Sequence, residues 1–228
     1  MVDPGLFDVE QFRALPHRHA VVRQVERPTL VLGSTQSPDV VSRVMTQERG
    51  VEVVRRRGGG GAVLLQPNDH VWVNAWIPRG DPLWRSDVGA AAAWVGEWWL
   101  HGLGVMGQAD WSVHREKAQP GEFGDLVCFA GRGPGEVFWG QRKVVGVSQW
   151  RSREGALFLS CAYTQWQPGA LVELLHLDAG VRADLARGLV PVVAGLSAIE
   201  PPVPNMALVG AALLSSFPAW GSDTPSAS

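Results

Sequence analysis

Val53-Val54-Arg55-Arg56-Arg57-Gly58-Gly59-Gly60-Gly61-Ala62-Val63 is the stretch on which the reading of this chain turns. Four consecutive glycines between two apolar, β-branched runs are costly in backbone entropy. Such a loop is explained where something must approach the backbone closely, or where several residues need φ > 0. Without side chains, its amide N–H groups are free to face a phosphate or a carboxylate. Three adjacent arginines place positive charge beside it. The stretch is not a P-loop, because no Gly-Lys-Ser/Thr follows. Nor is it a dinucleotide fingerprint, because a strand follows it and not a helix. Taken alone it also fits a flexible hairpin turn with solvated arginines.

On either side of this loop the pattern alternates between strand and helix signals. His19–Val25, Thr29–Leu32, Val51–Arg56 and Ala62–Gln66 read as strands. Asn68–Ile77 alternates cleanly, with Val71, Val73 and Ala75 on one face and Trp72, Asn74 and Trp76 on the other. Asp39–Arg49 and Asp87–Leu103 carry helical spacing. Leu126–Phe129, Glu136–Trp139, Lys143–Trp150 and Ala156–Tyr163 read as further strands. Pro168–His176, Ala179–Leu196 (kinked or split at Pro191) and Met206–Ser216 (capped by Asn205) read as helices. Residues 1–18 look loosely structured. Strands in the middle and helices toward the ends predict an α+β fold, a mainly antiparallel mixed sheet flanked by helices. A single domain over 1–217 with a disordered Ser/Pro/Gly-rich tail over 218–228 is the simplest organisation.

The bulk numbers narrow the function. The chain has 228 residues, 46% of them hydrophobic, enough for a substantial core. A net charge of −2 supplies no basic face, so nucleic acid is not an expected partner. The apolar run Val88–Gly96 is too short to span a bilayer, and the N-terminus lacks a signal pattern, so a cytoplasmic protein is expected. Cys128 and Cys161 do not make a disulfide framework. Each is either a buried hydrophobe or a nucleophile. Only two lysines, Lys117 and Lys143, stand against 18 arginines. A surviving lysine in such a chain is a candidate for a role that needs a compact ammonium.

Two more segments carry chemistry. In Gly140-Gln141-Arg142-Lys143-Val144-Val145-Gly146-Val147-Ser148-Gln149, a lysine opens a strand after a turn. It can project into a cleft and meet an anion or a developing oxyanion, or it can be an ordinary turn lysine. Cys128-Phe129 precedes the glycine-rich turn Gly131-Arg132-Gly133-Pro134-Gly135. Its thiol is accessible there, with Arg132 nearby to favour the thiolate, or it packs in the core. The tryptophans between Trp72 and Trp99 either wall an apolar tunnel or pack between helix and sheet. Trp76 and Asn74, which share a face, are the better candidates for a pocket wall.

Together these segments resemble one family. Arg55–Val63 is similar to the RR-x-SGGGAV signature of lipoate–protein ligases, with Gly58 at the usual Ser. Gly140–Gln149 resembles the family's GRK-[IV]-x-G-[ST]-A-Q strand, with Lys143 at its lysine. Pro28-Thr29-Leu30-Val31-Leu32-Gly33-Ser34-Thr35-Gln36 resembles its P-x-[LV]-[VI]-x-G-x-x-Q strand. The three occur in the family's order. The resemblance is to the lipoate–protein ligase and octanoyltransferase family, which has the biotin/lipoate protein ligase fold. It implies an enzyme that attaches lipoate or octanoate to a lysine of a lipoyl-domain protein, an E2 subunit or the glycine cleavage H protein. It implies that Arg56, Gly59, Gly60, Gly61 and Ala62 line the acyl and adenylate or thioester site, that Lys143 meets the reactive carbonyl or α-phosphate, and that Gly146 and Ser148 flank the acyl group.

Subfamilies separate at Cys128. A Cys-Phe pair fifteen residues before the lysine resembles octanoyltransferases that pass the acyl group through a Cys thioester without a cofactor. The ligases make an acyl-adenylate and use ATP and Mg²⁺. A C-terminal accessory domain, common among ligases, is not expected in the little chain after Ile199. Where the family shows an His-Gly pair, this chain has Leu159-Ser160-Cys161. That departure also motivates a non-catalytic acyl-binding protein of the same fold. A biotin ligase is a further alternative, although its glycine signature interleaves arginines with the glycines. No metal-ligand set is singled out.

Overall fold

The computed structural model describes residues 9–200, 203 and 205–217. A six-stranded sheet forms the body. It contains β1 (His19–Arg23), β5 (His70–Pro78), β6 (Trp111–Val113), β7 (Val137–Trp139), β8 (Arg142–Arg151) and β9 (Gly155–Tyr163), in the order β1-β5-β9-β8-β7-β6 with every pair antiparallel. A three-stranded sheet is built from β2 (Thr29–Leu32), β3 (Glu52–Arg55) and β4 (Val63–Leu65), with β2 central, parallel to β3 and antiparallel to β4. The α+β class and the mainly antiparallel mixed sheet expected from the sequence are both present.

The large sheet is covered on both faces, which is why β5 and β9 are apolar nearly throughout. Alternation sorts their residues. Trp72, Trp76, Leu157, Leu159 and Cys161 join the core shared with the small sheet. Val71, Val73, Ala75, Ile77, Phe158 and Ala162 join the core beneath the helices. That second core is closed by α4 (Ala93–Gly102) and α7 (Met206–Ser216). Trp98 donates to the Leu213 carbonyl at 3.1 Å, and Trp99 donates to Ser160 Oγ at 2.9 Å. The helix tryptophans are therefore packing residues between sheet and helix. Among the described residues no helix is long and apolar enough to cross a membrane.

Several expectations need correction. The helix expected over Asp87–Leu103 is broken at Ala92 into α3 (Val88–Ala91, capped by Asp87) and α4, where the turn at Gly135 presses on the Ala92 carbonyl. Asp39–Arg49 is a 3-10 turn over Pro38–Val40 followed by α2 (Arg43–Glu48), because Ser42 caps the latter. A short α1 (Glu10–Arg13) forms where loose structure was expected. Helix α5 spans only Pro168–Val172, and α6 (Ala179–Leu189) stops two residues before Pro191. Leu126–Phe129 is not a strand. Val127 makes a single parallel bridge to Ala62, and Cys128–Ala130 turn as a 3-10 helix. The tail expected from residue 218 lies outside the described residues.

Candidate functional site

Three of the sequence motifs meet at one place, and backbone contacts bring them there. Arg55 donates to the carbonyls of Gly33 (2.8 Å), Ser34 (3.2 Å) and Gln36 (2.6 Å), tying β3 to the turn after β2. Gln36 accepts from the Gly33 N–H at 3.0 Å and donates to the carbonyls of Asp125 (2.8 Å) and Leu126 (3.2 Å). Arg56 is buried, and its guanidinium donates to the carbonyls of Gly59 (2.7 Å) and Gly61 (2.9 Å). Arg56 thus shapes the glycine loop from within while Arg55 fixes the neighbouring turn, since five N–H donors in one rigid fork can satisfy several carbonyls at once. Arg57 is exposed, as Arg55 is, and lies over the Trp150 ring.

The loop needs glycine for close approach. Gly60 has φ +94°, and a Cβ there would sit 3.2 Å from Cys128 Sγ. A Cβ on Gly61 would sit 2.6 Å from the Val127 backbone. The approach is fixed by two hydrogen bonds, Ala62 N–H to the Leu126 carbonyl (2.8 Å) and Cys128 N–H to the Ala62 carbonyl (3.1 Å). Gly58 lies against Ser148 Oγ. Gly59 is exposed with open space around its α-carbon, so the loop presents its backbone outward at that residue.

Lys143 reaches this place through an irregularity in the sheet. Strict alternation along β8 would put residue 143 on the face of Val145 and Val147, away from Gly146 and Ser148. Val137 pairs with Val145, yet the next residue, Phe138, pairs with Lys143. The extra β8 residue is a bulge, and Val144 and Val145 both enter the helix-side core. Lys143 is thereby re-aimed to the loop side. Its Nζ lies 2.7 Å from Glu136 Oε2, donates to the Cys128 carbonyl at 3.0 Å and sits 5.6 Å from the Phe129 ring centroid. The Lys143 backbone is also pinned, its N–H to Val192 and its carbonyl to Ala194.

Glu136 was not picked out by sequence reasoning. Lys143 and Glu136 are 1% and 3% exposed, so each is the other's main counter-charge. The carboxylate also accepts from the N–H of Gly133 (2.6 Å) and of Val147 (3.5 Å). Burial pushes the Glu136 carboxyl up, against the pull of the Lys143 ammonium and these N–H groups. An acid opening an otherwise apolar strand straight after Gly133-Pro134-Gly135 was the available signal.

The two thiols differ. Cys128 is half-buried between the loop and Lys143. Cys161 is buried in the core, and burial pushes its thiol well up. Gly146 and Cys161 pair across β8 and β9, and Gly146 lies against the Phe129 ring. Lys143, Cys128, Arg56, Gly59, Gly60, Gly61, Ala62, Gly146 and Ser148 are accordingly gathered at one place. Asn74 lies on a different strand. It shares a row with Leu159 and Ser148, two strands away, and accepts from the Trp72 indole at 2.6 Å. Trp76 is farther still, in the row of Leu157 and Trp150, seven positions along β8 from Lys143 or about 23 Å. It donates to the Leu15 carbonyl at 3.1 Å and packs against Gly155.

The family model of the lipoyl protein ligase A/B catalytic domain matches residues 9–217. The chain belongs to that family. Among solved structures, a bi-partite lipoate protein ligase from Thermoplasma acidophilum, studied with its E2 lipoyl domain, superposes with a TM-score of 0.70 at 17% identity over 93% of this chain and 75% of the other. A T. acidophilum protein assigned as a lipoate protein ligase, with bound lipoic acid, gives 0.64 at 16% over 93% and 77%. A lipoate-protein ligase A bound with ATP gives 0.56 at 15% over 95% and 91%. At these identities the likeness is one of fold. A search of curated proteins finds no match.

Proposed function

We propose that this lipoyl protein ligase A/B family member transfers a medium-chain acyl group, lipoate or octanoate, to the lysine of a lipoyl domain, with Lys143 stabilising the oxygen that becomes negative. The observation that carries the reading is the buried ammonium of Lys143, held beside both the glycine loop and Cys128. A fixed cation in a site of low polarity stabilises a developing oxyanion far more than it would in water.

The position of Cys128 favours a thioester route. The Cys128 sulfur attacks the carbonyl of an acyl thioester, a new C–S bond forms, and the donor's thiol leaves with the proton. The neutral amine of the acceptor lysine then attacks the Cys128 thioester. The amide C–N bond forms, the C–S bond breaks, and the amine's proton passes to the departing sulfur. In both tetrahedral stages the oxyanion lies within reach of Lys143.

A second reading is ATP-dependent activation, favoured by the likeness to the ATP-bound ligase. Exposed Gly59 and Gly60, with Arg57 beside them, suit a phosphate-bearing group. Bound ATP would supply the adenylate leaving group. Mg²⁺ would come with the nucleotide's phosphates.

Lys143→Ala is expected to abolish transfer on either route, and retained transfer would refute the role given to Lys143. An octanoyl adduct on the protein that Cys128→Ser prevents supports the thioester route. Full activity in Cys128→Ser, with a requirement for ATP, replaces it by the second.

A further inference from the structure

We infer that Glu136 is a positioning residue for the transfer step, fixing the Lys143 ammonium so that one of its N–H bonds stays available to the reacting carbonyl oxygen. This rests on the function proposed above and adds to it a residue that touches no substrate.

An ammonium has three donors. One is engaged by Glu136 Oε2 at 2.7 Å and a second by the Cys128 carbonyl at 3.0 Å. Among the described residues the third has no protein acceptor. Two fixed bonds determine where the third points, so the orientation of the remaining N–H is set by the carboxylate together with the Cys128 carbonyl. The carboxylate is itself immobile, because Gly133 and Val147 hold it from the preceding turn and from β8. The same bond to Gly133 gives the turn before β7 a purpose: it presents a backbone N–H to Glu136. The sheet bulge and the Val192 and Ala194 bonds fix the other end of the lysine. A lysine tethered at its backbone and at its tip is preorganised, and Glu136 is the part of that arrangement that can be changed without touching the thiol, the loop or the lysine.

The test compares Glu136→Gln and Glu136→Asp with the unaltered protein, using octanoyl-carrier protein or lipoate with ATP as donor and a purified lipoyl domain as acceptor. Glu136→Gln keeps the shape and removes the charge. Its kcat is expected to fall about 100-fold with KM for the acceptor nearly unchanged, because misplacing a group by about 1 Å costs that much. Glu136→Asp, which restores charge on a shorter arm, is expected to recover about tenfold of it. A kcat within threefold of the unaltered protein in Glu136→Gln overturns the inference.

If Glu136→Gln fails to fold, the side-chain ¹⁵N spectrum of the unaltered protein decides. With only two lysines it holds two ammonium signals, and exposed Lys117 is the internal control. Lys143 is expected to give a slowly exchanging ammonium that shifts when octanoate is added, while Lys117 does not shift. A Lys143 ammonium that exchanges as freely as that of Lys117 overturns the inference. Absence of transfer by the unaltered protein, with the protected Lys143 signal present, defeats the function reading and leaves Glu136 no step to position.

Discussion

Replacing Gly61 by Ala tests whether the glycine loop exists for close packing against the Cys128 turn. The new Cβ would lie 2.6 Å from Val127 C and N and 2.8 Å from Cys128 N, all backbone atoms that cannot rotate away. Non-bonded carbons rest about 3.5–4.0 Å apart, so loop and turn must separate by roughly 1 Å. That separation strains the Ala62–Leu126 and Cys128–Ala62 hydrogen bonds. Overpacking of this kind costs about 1–3 kcal/mol. For a domain of this size each kcal/mol lowers Tm by about 2–4 °C, which gives a fall of about 2–12 °C. Moving Cys128 relative to Lys143 by about 1 Å is expected to lower acyl transfer about 100-fold. Gly59→Ala is the matched control. Nothing lies within 4 Å of its Cβ, so stability should change by less than about 0.5 kcal/mol. Thermal unfolding of the pair, followed by circular dichroism, settles it. If Gly61→Ala melts with the unaltered protein, or if Gly59→Ala melts as low as Gly61→Ala, the reasoning is wrong.

The two thiols are expected to separate in a native-state reaction with a chromogenic disulfide. Half-buried Cys128 reacts and Cys161, buried and with its thiol pushed up, does not, so Cys128→Ser should remove the only fast phase. Two fast thiols would contradict the packing of Cys161. His70 is buried and donates from Nδ1 to the Gln66 carbonyl at 2.8 Å, and burial lowers its tendency to take a second proton. The unfolded chain then binds protons more readily. Stability is full above the ordinary histidine value of about 6.5 and is lost as pH falls below it. Urea midpoints at pH 8 and pH 5.5 should show a drop that His70→Gln reduces. An equal drop in both proteins would remove His70 as its cause.

Periodicity revealed most of the fold because the large sheet separates two cores. Trp72 and Trp76 on one face and Val71, Val73 and Ala75 on the other are sorted by the pleat alone. Helix α7 was legible to the residue because Asn205 caps it. What was not legible depends on contacts between distant segments. Val127-Cys128-Phe129 is an apolar run that periodicity assigns to a strand. It packs instead against the glycine loop and turns as a 3-10 helix from Cys128. The break at Ala92 lies where the Gly135 turn approaches the Ala92 carbonyl, a contact that no local pattern announces.

The site was legible to the same degree. The motif order brought Lys143, Cys128 and the loop together, but alternation alone assigns Lys143 to the wrong face, since a bulge is invisible in the sequence of one strand. Arg56, which the resemblance places in the lining of the site, holds the carbonyls of Gly59 and Gly61, a partnership no local pattern announces. Asn74 lies in the row of Ser148 and Trp76 one pair of residues farther along the same face, a distance that alternation within one strand does not measure.

The most direct test of acyl transfer is the intact mass of a lipoyl-domain acceptor. It is incubated with this protein and octanoyl-carrier protein in one tube, and with lipoate, ATP and Mg²⁺ in another. The acceptor is expected to gain one acyl group in at least one tube, and to gain none when Lys143→Ala replaces the unaltered protein. An acceptor of unchanged mass in both tubes, alongside binding of octanoate or lipoate by the folded protein, would contradict it and make this a binding protein on an enzyme's fold.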